Sequence, residues 1–112
     1  MNSRSQFLKG CMRTSVLHML SKKPMYGYEI TTELAKQSEN IFVLGQGTLY
    51  PMLYSLEKKK LIEASHEKIL KNGRKRLYYK ITDAGLEMLA ENKDTWLEVV
   101  HGMRLVLGLN HE

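Results

Sequence analysis

The first third of the chain places its apolar residues at helical spacing. Between Phe7 and Ser21 they recur every three or four positions, which predicts one amphipathic helix. Lys22-Lys23-Pro24 ends it, because proline cannot continue a helix and lysine side chains suit the C-terminal dipole. A second helix is predicted over about 26–37. It is short and contains two threonines, so we expect it to depend on tertiary packing.

A third helix is predicted over about 48–59, after a turn at 42–47. Its inward stripe is formed by three leucines at helical spacing, Leu49, Leu53 and Leu56. Pro51 falls in the first turn of this predicted helix, where its missing N–H would have had no partner. Because Tyr50 and Tyr54 lie off the leucine stripe, we expect them to face outward together with Pro51.

The residues after the third helix have the pattern of a β-hairpin. Asn72-Gly73 is a strong signal for a two-residue turn, because both positions tolerate positive φ. The register that follows pairs three residues of each strand on the face expected to pack on the helices: Ala64 with Ile81, His66 with Tyr79, and Lys68 with Leu77. The tip, residues 71–76, is too highly charged to be buried.

A long last helix is predicted to begin after Thr82, which is a good N-cap, with Asp83 suiting the positive first turn. Apolar residues then repeat with alternating steps of three and four, interrupted once by Lys93. Gly108 is typical of a helix-ending glycine. A helix of about 25 residues is roughly 38 Å long, which is more than a small domain can cover. The predicted fold is therefore mainly α (α+β): a winged helix-turn-helix with an N-terminal helix and a long C-terminal dimerisation helix.

Composition places the chain among globular proteins. It has 112 residues, of which 43% are hydrophobic and 26% charged, enough for one domain and one core. No apolar run approaches the roughly 18 residues of a membrane span, and no secretory signal opens the chain. Cys11 is the single cysteine, so an internal disulfide is excluded. We expect a cytoplasmic protein in a reducing environment, with no membrane partner.

The positive charge is concentrated in one segment. The chain carries a net charge of +5, from 17 basic and 12 acidic residues. Residues 57–80 hold nine of the basic and three of the acidic residues, a net +6, so the remainder nets −1. Such polarisation is typical of a nucleic-acid footprint or a membrane-surface patch.

Several short motifs resemble the PadR family of bacterial transcriptional regulators, in order and with matching spacing over about residues 10–100. They are Tyr26-Gly27-Tyr28-Glu29-Ile30, Gly47-Thr48-Leu49-Tyr50-Pro51, Leu56-Glu57, Leu61-Ile62, Gly73-Arg74, Tyr78-Tyr79 and Thr82-Asp83-Ala84-Gly85. Three positions depart from the family pattern: Lys60 replaces a frequent glycine, His66 a frequent tryptophan and Leu77 a frequent basic residue. The resemblance implies a dimeric winged-helix repressor that releases DNA when it binds a small aromatic or drug-like compound.

The candidate DNA-binding residues follow from the winged-helix interpretation. The outward face of the third helix and the start of the second are expected to contact base edges and phosphates through Tyr26, Gly27, Gln46, Gly47, Thr48, Tyr50, Pro51 and Tyr54. The hairpin tip is expected to contact the DNA backbone or minor groove through Lys71, Arg74, Lys75 and Arg76. The alternatives are half-buried tyrosines that only pack, a glycine that only permits close helix packing, and a solvated charged turn.

The outer helices are predicted to dimerise. We assign residues 1–82 to the DNA-binding domain and 83–112 to the dimerisation helix. The predicted interface residues are Leu8, Met12, Leu86, Leu89, Trp96, Val100, Met103 and Leu107. Trp96, with Lys93 and Val100, is also a candidate effector site, because two indoles at a two-fold axis can admit a planar aromatic cation or a phenolic compound. Ordinary interface packing is the alternative for Trp96.

Catalytic interpretations find no support in the residue pattern. The four histidines have no metal-ligand spacing, so neither a metal nor a cofactor is predicted. Gly45-Gln46-Gly47 has neither a preceding strand nor a following lysine, so it is not a phosphate loop. The expected function is therefore a sequence-specific transcriptional repressor bound to a pseudo-palindromic operator, and not an enzyme. The alternative is a basic protein-interaction or membrane-surface module without operator specificity.

Overall fold

The computed structural model describes the backbone of residues 3–109 and the side chains of residues 10–109. The elements follow in the order α1 Ser3–Lys22, β1 Met25–Tyr26, α2 Gly27–Gln37, α3 Gln46–Lys58, β2 Ile62–Ile69, β3 Lys75–Ile81 and α4 Asp83–Leu107. The predicted order of three helices, a hairpin and a long helix is confirmed, and the short strand β1 is an addition. No helix within residues 3–109 is long and apolar enough to cross a membrane.

The third helix begins two residues earlier than its sequence pattern indicates. Gly45 is the N-cap, and its carbonyl accepts hydrogen bonds from the amides of Thr48 and Leu49 at 3.1 and 3.0 Å. Pro51 therefore lies in the second turn of α3, not the first. Because proline has no N–H, the carbonyl of Gly47 lacks its helical donor at this point.

The hydrophobic core is built by all the helices together with the sheet. Its fully buried residues come from α1, α2, α3 and β2: Val16, Leu17, Ile30, Leu49, Leu53, Leu56 and Ile62. The assignment of Met12 to an interface with a second copy is wrong, because residues 12–20 of α1 have partners in their own chain. Met12 is 7% exposed, because α1 packs against α2, β3 and α4 of the same chain. Leu89 of α4 is 5% exposed in the same core.

The three strands form an antiparallel sheet in the order β1-β3-β2, and its register corrects the predicted one. The observed pairs are Ala64 with Tyr79, His66 with Tyr78, and Lys68 with Arg76. A β-bulge at Ser65 shifts the register between Ala64 and His66. Since a shift of one residue moves a side chain to the opposite face, His66 and Lys68 lie beside Arg76 and Tyr78. None of the three predicted pairs forms: Ala64 with Ile81, His66 with Tyr79, and Lys68 with Leu77.

The hairpin turn is longer than the predicted two-residue loop. Residues 70–74 connect the strands, and the amide of Gly73 donates to the carbonyl of Leu70 at 2.9 Å. Gly73 has φ 84°, whereas Asn72 is not among the residues of positive φ. The Asn72 side chain instead accepts a hydrogen bond from the amide of Arg74 at 3.0 Å. Only Gly73 therefore uses the left-handed conformation that the sequence signal assigned to both residues.

The start of α4 is fastened to the end of α3. The Thr82 hydroxyl accepts a hydrogen bond from the Gly85 amide at 3.0 Å, which confirms the predicted cap, and donates one to the carbonyl of Lys60 at 2.8 Å. Lys60 has φ 64°, so the left-handed conformation expected of the family's glycine is present with lysine. A Cβ on Gly85 would collide with the Leu61 carbonyl oxygen. Gly108, with φ 74°, ends α4 as predicted.

Candidate nucleic-acid interface

The solvent face of α3 is the face that the leucine stripe predicted. Leu49, Leu53 and Leu56 are at most 1% exposed. On the opposite side Gly47, Thr48 and Pro51 are exposed, as are Tyr50 and Tyr54. Two phenol rings and one threonine hydroxyl are thus presented on a helix whose other face is held in the core. Such a surface can enter a groove and donate hydrogen bonds without any rearrangement of the core.

Gln46 is less available than the rest of this face. Its side-chain amide donates a hydrogen bond to the hydroxyl of Thr31 at 2.9 Å, and that hydroxyl donates to the carbonyl of Tyr28 at 3.0 Å. The first turn of α3 is therefore tied to the first two turns of α2. One of the two N–H groups of the Gln46 amide is used by Thr31 in the free protein, which leaves the second N–H and the oxygen able to meet DNA.

Gly27, at the start of α2, lies against the side chains of Tyr50 and Gln46 of α3. A Cβ built on Gly27 would lie 2.5 Å from the hydroxyl oxygen of Tyr50 and 3.0 Å from Oε1 of Gln46. A side chain at this position would have to displace the phenol of Tyr50 or the amide of Gln46, so glycine leaves room for both. This geometry favours the packing alternative for Gly27, which is itself buried. It also holds the exposed phenol of Tyr50 beside the start of α2.

The wing, formed by β2, β3 and the turn between them, carries the basic tip. Lys71, Arg74 and Lys75 are exposed, whereas Arg76 is half-buried. Within residues 10–109 the ion pairs are Lys23–Glu29 at 3.0 Å and Lys80–Glu63 at 3.5 Å. Neither pair uses a tip cation, so the charge of the tip is not neutralised by the described part of the chain. Concentrated free cations on a projecting hairpin attract a phosphate backbone.

The face of the sheet that points away from the helices carries an aromatic cluster of Tyr26, His66 and Tyr78. The ring of Tyr78 packs edge-on against Tyr26, with centroids 5.3 Å apart, and stacks on His66 at 4.4 Å. Two cations lie over these rings: Arg76 over Tyr26, and Lys68 over Tyr78. His66, Lys68 and Tyr78 were not predicted to lie together or to contact DNA, because the bulge that brings them together leaves no local signal.

The predicted dimerisation residues divide into two groups. Met12 and Leu89 are buried within the chain itself, so neither is free to contact a second copy. Leu86, Trp96, Met103 and Leu107 are exposed, and Val100 is half-buried. The last turns of α4 expose Met103, Leu105, Val106 and Leu107, with Val106 82% exposed. Leu8 lies outside the residues whose side chains are described.

A cavity of about 460 Å³ lies where α1, α2 and α4 meet. Trp96 and Lys93 line it together with Cys11, His18 and Phe42, whereas Val100 does not. A second cavity of about 460 Å³ on the other side of the α1–α4 contact also includes Trp96 and Cys11. The indole therefore stands between two cavities, and two of the three predicted effector residues are brought together.

The first cavity is largely apolar, and the charged residue that lines it is Lys93. Burial, and then the ammonium groups of Lys93 and Lys22, lower the pKa of His18 below its usual 6.5. Among its described lining residues there is no carboxylate. Helix α1 contains no acidic residue along its length. The cavity is therefore suited to an uncharged or anionic aromatic molecule better than to a cation.

In the described part of the chain, no group of three His, Cys, Asp or Glu side chains is placed to hold a metal ion.

α2 and α3 pack against each other, α3 exposes one face to solvent, and the basic hairpin adjoins α3. This arrangement defines a winged helix-turn-helix protein. Residues 16–91 match the model of the Transcriptional regulator PadR-like family, and the chain belongs to this family. The resemblance drawn from the sequence motifs is thereby confirmed. A relative from Lysinibacillus sphaericus, described as Uncharacterized protein X, is 38% identical over 96 residues, which cover 86% of this chain and 87% of the relative.

Solved structures of similar proteins share the fold. A PadR-like transcriptional regulator of Bacillus cereus strain ATCC 14579 is 39% identical, with a TM-score of 0.78 over 96% of this chain and all of that chain. A Streptococcus transcriptional regulator is 29% identical, with a TM-score of 0.74 over 90% of this chain and 96% of that chain. PadR of Bacillus subtilis in complex with operator DNA is 23% identical, with a TM-score of 0.67 over 78% of this chain and 47% of that chain. This last likeness concerns the fold alone.

Proposed function

We propose that this chain is a sequence-specific DNA-binding repressor of transcription. The observation that carries the proposal is that α3 and the wing, which contact each other through β2, both expose groups suited to DNA. α3 exposes a polar, tyrosine-bearing face, and the tip of the wing exposes Lys71, Arg74 and Lys75. Membership of the PadR-like family of transcriptional regulators supports the same function. A solved PadR protein of the same fold was crystallised with operator DNA.

The contacts divide by their chemistry. Thr48, Tyr50 and Tyr54 project from α3 and are suited to base edges and phosphates in a major groove. The cations of the wing tip are suited to the phosphate backbone, which carries no sequence information of its own. Specific affinity would therefore depend on α3, while the salt dependence of binding would depend on the wing.

The partner in this proposal is a second copy of the chain. α4 continues beyond the core, its last turns expose an apolar stripe that includes Met103, Val106 and Leu107, and the molecule measures 55 Å along its longest axis. An exposed apolar surface of this kind is typical of an interface. A two-fold dimer through α4 would present two α3 helices to the two halves of a pseudo-palindromic operator.

The effector in this proposal is a planar aromatic compound that binds beside Trp96. The cavity is apolar apart from Lys93, His18 and a few neutral polar groups, so an aromatic acid or a phenol fits its charge better than an aromatic cation. Occupation of this cavity would press on α4 and change the separation of the two DNA-binding surfaces. The probes are 2-naphthoate and 2-naphthylmethylamine, which share a ring system and differ in charge.

Fluorescence of Trp96, the single tryptophan, measures this step directly. We expect 2-naphthoate to quench the emission and to release operator DNA, and Lys93→Gln to reduce both effects. Trp96→Phe removes the tryptophan fluorescence, so release of operator DNA from this variant is measured by the fluorescence anisotropy of labelled DNA. Equal responses to the two probes would contradict the assigned charge preference. No response to either would contradict the effector site.

Selection of bound sequences from a random pool of duplexes tests the DNA-binding function itself. We expect enrichment of a pseudo-palindrome with half-sites about one helical turn apart. Thr48→Ala should lower the affinity for the enriched sequence more than it lowers the affinity for random DNA. Binding without any enrichment, lost uniformly as salt rises, would favour the basic interaction module. Retention on anionic vesicles in place of DNA would favour the membrane-surface alternative.

A further inference from the structure

The aromatic cluster on the outer face of the sheet lies at the base of the wing, next to the start of α2. Tyr26 is the residue immediately before α2, and in β1 it pairs with Tyr78 of β3. Tyr78 is 8% exposed because Tyr26 packs edge-on against it, with their planes at 62°, and His66 stacks on it with their planes at 12°. The ring of Tyr26 therefore has a fixed position relative to both the hairpin and the helix-turn-helix.

Arg76 lies over this fixed ring. Its guanidinium carbon is 4.1 Å from the centroid of Tyr26, well within the distance of a cation–π contact. Arg76 is the second residue of β3, one step from the turn, and it is half-buried. Lys68, the cross-strand partner of Arg76, lies 5.5 Å from the centroid of Tyr78. Two cations of the wing are thus held against rings.

The other tip cations have no such support. Within residues 10–109, no aromatic ring lies over Lys71, Arg74 or Lys75, and all three are exposed. A long cationic side chain loses conformational freedom when it is fixed on a phosphate. A guanidinium already stacked on a ring has lost much of that freedom before DNA arrives.

We propose that Tyr26 is a positioning residue for DNA binding, and that its ring orients the guanidinium of Arg76 toward the DNA backbone. Tyr26 was a candidate for direct phosphate contact, but the stacked guanidinium occupies one of its faces. The hydroxyl is then dispensable and the ring is not. The proposal rests on the proposed binding of DNA by the wing. It makes Arg76 an oriented contact that fixes the position of the protein along the DNA, whereas Arg74 contributes charge without a fixed orientation.

Four variants of the full chain test this proposal by operator affinity. Tyr26→Phe keeps the ring without the hydroxyl, and we expect wild-type affinity. Tyr26→Leu keeps apolar bulk in β1 without the ring, and we expect binding about three- to tenfold weaker. Arg76→Ala should weaken binding at least as much as Tyr26→Leu. In the double variant with Tyr26→Leu and Arg76→Ala, the second substitution should weaken operator binding little further, because both substitutions remove the same contact.

Arg76→Lys tests the same contact while leaving the aromatic cluster intact, in case Tyr26→Leu does not fold. Lysine keeps the charge but not the planar stacking group, so we expect weaker operator binding with an unchanged salt slope. Equal losses in Tyr26→Phe and Tyr26→Leu would overturn the proposal in favour of a hydroxyl–phosphate contact. Additive losses in the double variant, or wild-type affinity in Arg76→Lys, would also overturn it.

A measurement without DNA separates this proposal from the DNA-binding function on which it rests. Nitrogen-15 relaxation of the Arg76 Nε–H group reports how firmly the guanidinium is held in the free protein. We expect Arg76 to be more ordered than Arg74 in the wild type and in Tyr26→Phe, and to lose that order in Tyr26→Leu. Equal disorder of the two arginines in the wild type would contradict the positioning role even if the protein binds DNA. Order at Arg76 without any operator binding would instead contradict the proposed function.

Discussion

The side-chain amide of Gln46 donates a 2.9 Å hydrogen bond to the hydroxyl of Thr31 and so joins α3 to α2. Thr31 is 9% exposed and is the buried polar residue of the core. Its hydroxyl also donates to the Tyr28 carbonyl, so the donor and acceptor capacities of this buried group are both used. The angle between the two helices is thus set by a polar contact as well as by leucine packing.

Loss of the Thr31 hydroxyl should therefore destabilise the protein. In Thr31→Val the Gln46 amide loses its partner, and we expect a loss of about 1 kcal/mol in the free energy of unfolding, measured by urea titration. Thr32→Val is the matched control, because Thr32 is exposed on the same helix. Equal changes in the two variants would mean that threonine-to-valine substitution in α2, rather than the contact with Gln46, accounts for the effect.

Removal of a tip cation should change the salt dependence of DNA binding. Arg74 is exposed and outside the described ion pairs, so Arg74→Ala should weaken binding to all duplexes alike. The slope of log K against log salt should fall by about 0.9 for each phosphate contact removed. Lys80→Ala is the control, since Lys80 is paired with Glu63. A changed sequence preference with an unchanged slope would reverse the roles given to the wing and α3.

Lys60 occupies a backbone conformation that suits glycine. With φ 64° it lies in the left-handed region, which is unfavourable for a residue with a Cβ. Lys60→Gly should raise the free energy of unfolding by up to about 1 kcal/mol, since relief of strain exceeds the added freedom of the unfolded chain. Lys60→Ala removes the same charge and keeps the Cβ, so it should bring no gain. If Lys60→Ala stabilised the protein as much as Lys60→Gly, the gain would come from removal of the lysine charge and not from relief of backbone strain.

Local signals predicted the parts of this fold that depend on neighbours in sequence. The leucine period of α3, the Thr82 cap and the Gly108 terminator each act within one or two helical turns, and all are confirmed. The predicted start of α3 is two residues too late, because the N-cap is Gly45, which has no side chain to signal a cap and accepts the first helical hydrogen bonds through its backbone carbonyl.

The parts that depend on register and tertiary contact were not predictable from the pattern. A bulge at Ser65 and a five-residue turn both leave the alternation of residues almost unchanged, yet they move His66 and Lys68 onto the outer face. β1 has only two residues and forms because β3 lies beside it. The aromatic cluster that holds Arg76 requires both features, so this part of the candidate site emerges only in three dimensions.

Charge on the exposed end of α4 should separate the proposed dimer without unfolding the chain. Met103 and Val106 are 47% and 82% exposed, so Met103→Glu and Val106→Glu leave the core of one chain unchanged. Light scattering should give the mass of a 13.0 kDa monomer for these variants and twice that mass for the wild type. Leu89→Glu is unsuitable, because Leu89 belongs to the core of the single chain.

The control for dimerisation places the same charge off the apolar stripe. His101 is exposed on α4 beside Val100, and His101→Glu should remain dimeric. A wild-type chain that is monomeric and folded at micromolar concentration would contradict the proposed assembly. So would dimers in both Met103→Glu and Val106→Glu.

His18 should make stability fall in mild acid. Burial and the nearby charges of Lys93 and Lys22 lower its pKa in the folded chain, whereas the unfolded chain keeps a pKa near 6.5. As pH falls through about 6.5 toward the lower folded pKa, the unfolded state takes up the proton first, so the free energy of unfolding decreases. Urea titrations of the wild type and His18→Gln at pH 7.5 and 5.5 isolate this contribution from the other titrating groups. We expect a smaller decrease in His18→Gln, and a partly reduced one in Lys93→Gln because one repelling charge is gone. Equal decreases in the wild type and His18→Gln would show that the cavity does not resist protonation of His18.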